Sequence, residues 1–123
     1  MYEYKIIIDG EPVGKSRPRF ARGHAYSPQK NREYEKMINK SYDGLKLEGA
    51  VNLRLTAYYQ KPKKCKTLYP TKKPDIDNVA KIIMDSLNGV AYDDDKQVIN
   101  LSIVKRWTDD YPRVEITISE VVE

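Results

Sequence analysis

Between Lys72 and Val98 the chain reads KKPDIDNVAKIIMDSLNGVAYDDDKQV, a stretch whose acids are spaced to do chemistry. Asp75, Asp77, Asp85, Asp93, Asp94 and Asp95 all fall within it, and Lys81 stands in their midst. Carboxylates crowded this way repel one another unless a cation joins them or water solvates them. Hard oxygen donors with no soft partner favour Mg2+ or Mn2+. Such an ion polarises a phosphoryl oxygen and lowers the pKa of a bound water, which is the chemistry of phosphodiester hydrolysis. A plainer reading competes with it. An aspartate at a helix N-cap with another in the first turn is ordinary helix chemistry, and an isolated run of aspartates is a solvated turn. A calcium loop of the EF-hand type does not fit, because counting from Asp75 puts Val79 fifth and leaves the sixth position without glycine.

The elements that must position these acids can be read from periodicity. With Asp75 as N-cap and a step of about 100° per residue, Ile76, Val79, Ala80, Ile83 and Leu87 gather into one apolar stripe. Asp77, Lys81, Asp85 and Asn88 fall on a polar sector, where Lys81 lies one turn from Asp77 and is expected to pair with it. The helix should stop near Asn88-Gly89. Upstream, YEYKIIIDG alternates through Tyr2, Tyr4, Ile6 and Ile8 as a strand. Ser27 and Pro28 offer an N-cap and a first-turn proline for a helix carrying Tyr34, Met37, Ile38 and Tyr42. VNLRLTAYY alternates as a half-buried strand, and VINLSIVKRW and RVEITIS read as a closing pair joined through TDDYP. The expected order is β-α-β-α-β-β. It predicts a single α+β domain over residues 1–123, with a mixed sheet of about four strands and two packed helices.

Two irregular segments carry most of the positive charge. GKSRPRFARGHAYS brings Lys15, Arg17, Arg19 and Arg22, with Lys30 and Arg32 following at the helix entrance. KPKKCKTLYPTKKP brings Lys61, Lys63, Lys64, Lys66, Lys72 and Lys73 with no acid between them, and it runs straight into Asp75. A cationic rim around a carboxylate pocket suits a site that cuts nucleic acid, since the cations hold phosphates while the acids hold metal. The formal net charge of +4 agrees with an anionic partner. One cysteine, Cys65, excludes an internal disulfide and a cysteine-based zinc site. No secretory signal and no membrane-length apolar run is present, so a cytoplasmic protein is expected.

KPDIDNVAKIIMDSLNGVAYDDDKQV resembles the signature of the RusA family of Holliday-junction resolvases. That signature has an Asp-x-Asp-Asn, a lysine one turn later, an Asp-x-Leu-Asn-Gly-like helix end and an Asp-Asp-x-Gln. KSRPRFARGHAYSP likewise resembles the family's basic loop leading to a Tyr-Ser/Thr-Pro helix start. The resemblance implies a Mg2+-dependent, homodimeric endonuclease that places paired nicks in four-way junction DNA. It implies Asp75, Asp77 and Asp95 as metal ligands, Asp94 as a second-tier candidate and Lys81 as the catalytic lysine. Lys15, Arg17, Arg19, Arg22, Lys63, Lys64, Lys66, Lys72 and Lys73 are the expected DNA contacts. Where some members carry an arginine before the first aspartate this chain has Pro74, so Lys73 or Lys72 is expected to make that phosphate contact. Two other readings stay open: a metal-dependent nuclease for other branched DNA, and a basic nucleic-acid binding protein without catalysis.

Overall fold

A computed structural model describes residues 3–17, 19–26 and 28–122. Strand β1 spans Glu3–Asp9, β2 Arg19–Ala21 and β3 His24–Tyr26, followed by helix α1 at Gln29–Ser41 and strand β4 at Val51–Gln60. Helix α2 covers Ile76–Ser86, a 3-10 turn covers Asp95–Gln97, and β5 (Val98–Thr108) and β6 (Arg113–Glu120) complete the chain. The result is a small α+β domain with a mixed four-stranded sheet in the order β1-β6-β4-β5.

Strand β4 lies inside the sheet, between β6 and β5, and alternates cleanly. Val51, Leu53, Leu55, Ala57 and Tyr59 are buried on one face, while Arg54 on the other face is exposed. Ile6 and Ile8 of β1 and Val114, Ile116 and Ile118 of β6 extend the buried face. Tyr34 and Ile38 of α1 and Val79, Ile82 and Ile83 of α2 close over it. Only one face of the sheet is therefore covered by helices. The apolar stripe of α2 is rotated slightly from the expected one. Ile82 is fully buried, whereas Ile76 at the first turn is 40% exposed.

Two expectations about the strands are corrected. The last two strands are not paired with each other, because β4 lies between them, antiparallel to β6 and parallel to β5. A parallel pair needs a crossover, and the segment from Lys61 through α2 supplies it. The loop after β1 is also not wholly irregular. It holds the β2–β3 ribbon, turned at Arg22 (φ 53°) and Gly23 (φ 79°), the paired positive φ values of a type I′ hairpin. At α1 the N-cap position is Pro28 with no side-chain cap; Ser27 and Tyr2 lie outside the described residues.

Candidate metal and nucleic-acid site

Helix α2 sets the spacing of the acids. Asp75 is its N-cap residue by backbone, with φ −68° and ψ 152°, yet its side chain makes no capping hydrogen bond. Asp77 follows in the first turn. Both side chains are exposed, and among the described residues no cation is ion-paired with either. The helix-cap explanation for Asp75 thus fails on geometry, and its carboxylate stays available at the positive end of a helix.

Lys81 does not pair with Asp77. Its ammonium turns the other way, to Asp85 Oδ2 at 3.7 Å. The reason lies in what else meets Asp85. Lys15 approaches the same oxygen at 3.5 Å and donates to Glu35 Oε1 at 2.6 Å. Asp85 is therefore the half-buried node of a network joining the first loop, α1 and α2, with a side chain 26% exposed. Burial alone would lower the pKa of the Lys15 ammonium, but its hydrogen bond to Glu35 and the charges of Glu35 and Asp85 raise it. Lys15 is accordingly an internal cross-link, with a side chain only 21% exposed. By contrast Arg17, Arg22, Lys63, Lys64, Lys66, Lys72 and Lys73 are exposed. The side chain of Arg19 lies outside the described part.

The run Asp93–Asp95 separates into three different roles. Asp93 is ion-paired with Lys46 at 2.6 Å. Asp94 caps the 3-10 turn, accepting from the Lys96 N–H at 3.1 Å. That backbone hydrogen bond, with a second from the Asp95 side chain, holds the Asp94 carboxyl below its ordinary range. Asp95 takes neither role. Its hydrogen bond with Asp94, its burial and the charges of Asp94 and Asp85 raise its pKa against the opposing pull of Lys81. The charges of Asp85 and Lys81 on α2 are thus felt at Asp95.

Gln97, to which the sequence assigned no role, holds this turn in place. Its carbonyl oxygen accepts from the N–H groups of Asp93 (2.8 Å) and Asp94 (3.3 Å). Its amide donates to the carbonyls of Leu47 and Gly49, both at 2.9 Å. The Asp-Asp-x-Gln spacing was the available signal, since an i, i+3 glutamine closes a capping box.

A cleft of about 380 Å³ opens beside Asp75, lined by Gly14, Lys15, Ser16, Lys30, Asn31, Lys73, Pro74 and Asn78, among others. Close backbone approach builds it. The Lys15 N–H donates to the Asn78 carbonyl at 2.9 Å. The buried Asn31 clamps the same loop, accepting from Ser16 N–H at 2.8 Å and donating to Gly14 O at 3.3 Å. Below it, the Tyr59 hydroxyl donates to the Pro74 carbonyl at 2.8 Å. Burial, with Glu11 and Asp75 nearby, pushes that phenol up to about 12.

Asp75 and Asp77 share the first turn of α2, but ten residues of helix separate Asp75 from Asp85, about 15 Å of rise. Of the expected ligands, Asp75 and Asp77 open α2 and Asp95 lies on the separate 3-10 turn. Among the described residues, no three acidic, histidine or cysteine side chains form a closed metal cage. The donor set still fits Mg2+, which is usually held by one or two carboxylates and completed by water and substrate phosphates. Every acid concerned is a hard oxygen donor, and among the described residues no cation is ion-paired with Asp75 or Asp77.

Asp75 and Asp77, not ion-paired among the described residues, thus open a helix of a one-sided α+β sheet that also carries two lysine- and arginine-rich segments. The chain belongs to the RusA endodeoxyribonuclease family, whose model matches residues 9–119. It is also 31% identical over 137 aligned residues to the uncharacterized protein YqaN of Bacillus subtilis (strain 168), covering 95% of this chain and 96% of that protein. Nucleases of this family are metal-dependent. No helix of the described residues is long and apolar enough to cross a membrane.

Proposed function

We propose that this protein is a Mg2+-dependent endodeoxyribonuclease that resolves four-way DNA junctions by paired symmetric nicks, acting as a homodimer. The observation that carries the reading is the N-cap carboxylate of Asp75, left without a capping hydrogen bond beside a lysine-lined cleft. Asp75, Asp77 and Asp95 would hold the metal. When bound, the ion polarises the scissile phosphate and acidifies a water. The protein's own residues do the rest. Lys30 and Lys73 line the cleft and bind backbone phosphate next to Asp75. Lys81, with a side chain 63% exposed, swings an ammonium toward charge that develops on the phosphate. Asp85 holds that ammonium off Asp77 until DNA arrives, so lysine and metal do not compete for one carboxylate. Lys63, Lys64, Lys66 and Lys72 extend the phosphate track.

One such site cuts one strand, and resolving a junction needs two. A two-fold dimer with the same patch contributed by each copy places two sites across the branch. The experiment is cleavage in Mg2+ of a synthetic four-way junction beside a flap, a fork and a linear duplex. Paired cuts confined to the junction support the reading. Equal cutting of every branched substrate replaces it with a general branched-DNA nuclease, and no cutting of any leaves a binding protein.

A further inference from the structure

The lysine-rich segment between β4 and α2 is long and lacks secondary structure, yet it is firmly held. The Trp107 indole N–H of β5 donates to the Thr67 carbonyl at 3.1 Å, and the Cys65 thiol donates to the same oxygen at 3.2 Å. The Thr67 hydroxyl donates to the Tyr69 carbonyl at 2.9 Å. Pro70 is buried. Further on, the Lys105 ammonium donates to the Lys72 carbonyl at 2.5 Å, and Lys72 sits over the Trp107 ring, 5.9 Å from its centroid. Between the Thr67 and Pro70 anchors two large side chains face solvent, Leu68 at 88% and Tyr69 at 59% exposure. Anchors on both sides make this a preformed knuckle.

Exposed apolar side chains on a braced turn mark a contact surface. Their surroundings name the partner. From Lys61 to Lys73 the chain carries Lys61, Lys63, Lys64, Lys66, Lys72 and Lys73 and no acid, so the surface suits a polyanion that also offers flat apolar faces. Nucleic acid bases are such faces, and in an intact linear duplex they are stacked away. At a branch point they are exposed or readily unstacked. We propose that Leu68 and Tyr69 form a wedge that stacks on bases at the branch point of DNA while the flanking lysines grip the phosphates. Tyr69 brings a ring with a polar tip, and Leu68 brings apolar bulk without a hydrogen-bonding demand. The knuckle lies at the end of the sheet where β4 leaves for Asp75, because Trp107, which holds it, is the register partner of Tyr59, and Tyr59 bonds Pro74. Base contact and carboxylates are thereby carried on one end of the molecule. The inference rests on the junction reading above and adds what would recognise the branch.

The test uses full-length protein made inactive by Asp77→Asn and a four-way junction with 2-aminopurine at the branch. At saturating protein the probe fluorescence should rise severalfold as the base is unstacked, and it should not rise when the same probe sits in a linear duplex. Leu68→Ala with Tyr69→Ala should abolish the rise and weaken junction binding about tenfold, leaving linear-duplex affinity within about twofold. Tyr69→Phe should retain the rise, since the ring does the stacking. An unchanged plateau in the double alanine variant, with junction cleavage intact in the otherwise wild-type chain, overturns the wedge and leaves the nuclease reading standing. A lost rise together with an altered sedimentation coefficient of the free protein also overturns it, assigning the knuckle to contact between copies. A knuckle-dependent rise in a protein whose wild type cuts nothing keeps the wedge and removes the nuclease.

Discussion

Replacing Gly14 by alanine tests how tightly the first basic loop is held on α2. A Cβ at Gly14 would stand 2.7 Å from Pro74 Cβ and 3.1 Å from Asn78 Cβ. Carbon atoms are comfortable at roughly 3.5–4.0 Å, so the nearer overlap approaches an ångström. Neither neighbour can yield easily, since the Pro74 carbonyl accepts from the Tyr59 hydroxyl and the Asn78 carbonyl accepts from the Lys15 N–H. Relief requires the loop to back away, stretching that backbone bond and the Asn31 clamp. Overpacking of this kind costs about 1–3 kcal/mol, which for a domain of this size lowers the melting temperature by roughly 4–12 °C. The sign is the informative part. Gly14 has no positive φ, so without the contact an alanine would stabilise the fold by about 0.4–1 kcal/mol through the unfolded chain. Cleavage at a temperature where the variant is fully folded should also fall, because the cleft beside Asp75 loses one wall. A Gly14→Ala protein that melts at or above wild type and cuts at the wild-type rate would refute the close approach and the cleft built on it.

The other expectations concern charge. Asp75→Asn, Asp77→Asn and Asp95→Asn should each lower Mg2+-dependent cleavage by about a hundredfold or more, on the scale of a lost group that stabilises the transition state, with junction affinity by gel shift unchanged or tighter. For Asp95 the raised carboxyl pKa fixes the pH sign: ionising it works against the fold, so at pH 7 Asp95→Asn should melt at or above wild type. That difference should close toward pH 3, where both forms are neutral; a variant less stable at pH 7 would contradict the assignment. Lys81→Ala should reduce cleavage far more than binding, and Lys81→Arg should restore only part of it, read by single-turnover kinetics. Changing Lys63, Lys64 and Lys66 together to alanine should flatten the slope of log affinity against log salt by about 0.9 per lost phosphate contact, and an unaltered slope would make them solubility residues.

Sequence periodicity was enough for β1, β4 and both helices, because each buries one face and apolar spacing reports that directly. It could not report sheet order. VINLSIVKRW and RVEITIS look like a hairpin since they are neighbours in the chain, but β4 pairs with both of them and lies between them, an arrangement local spacing does not encode. Ile76 was misplaced because hydrophobicity counts residues and not where a helix first touches the sheet. Within the acids, spacing marked the whole cluster, and the family resemblance narrowed it to Asp75, Asp77 and Asp95. Neither could tell a cap from an unengaged carboxylate, a distinction made by the missing side-chain cap at Asp75 and by Lys46 and Lys96 at the aspartate run. The pairing of Lys81 was missed for a related reason. Asp77 and Asp85 are both four residues away, and the choice between them depends on Lys15, which is remote in sequence and adjacent in space.

The way the acids are mounted gives the site one mechanical degree of freedom. Asp75 at the N-cap and Asp77 and Asp85 within one helix are mounted together, so the spacing of their backbones behaves as a ruler that no side-chain movement alters. Asp95 is mounted on a separate jaw, the 3-10 turn, and Gln97 bolts that jaw to the strand entry through the Leu47 and Gly49 carbonyls. Shortening the bolt by one methylene, as in Gln97→Asn, would move Asp95 relative to the ruler while leaving the ruler true. On the proposed metal site, the gap between helix and jaw depends in part on that amide, and a shift in the size of divalent ion that the Gln97→Asn protein prefers would read it out.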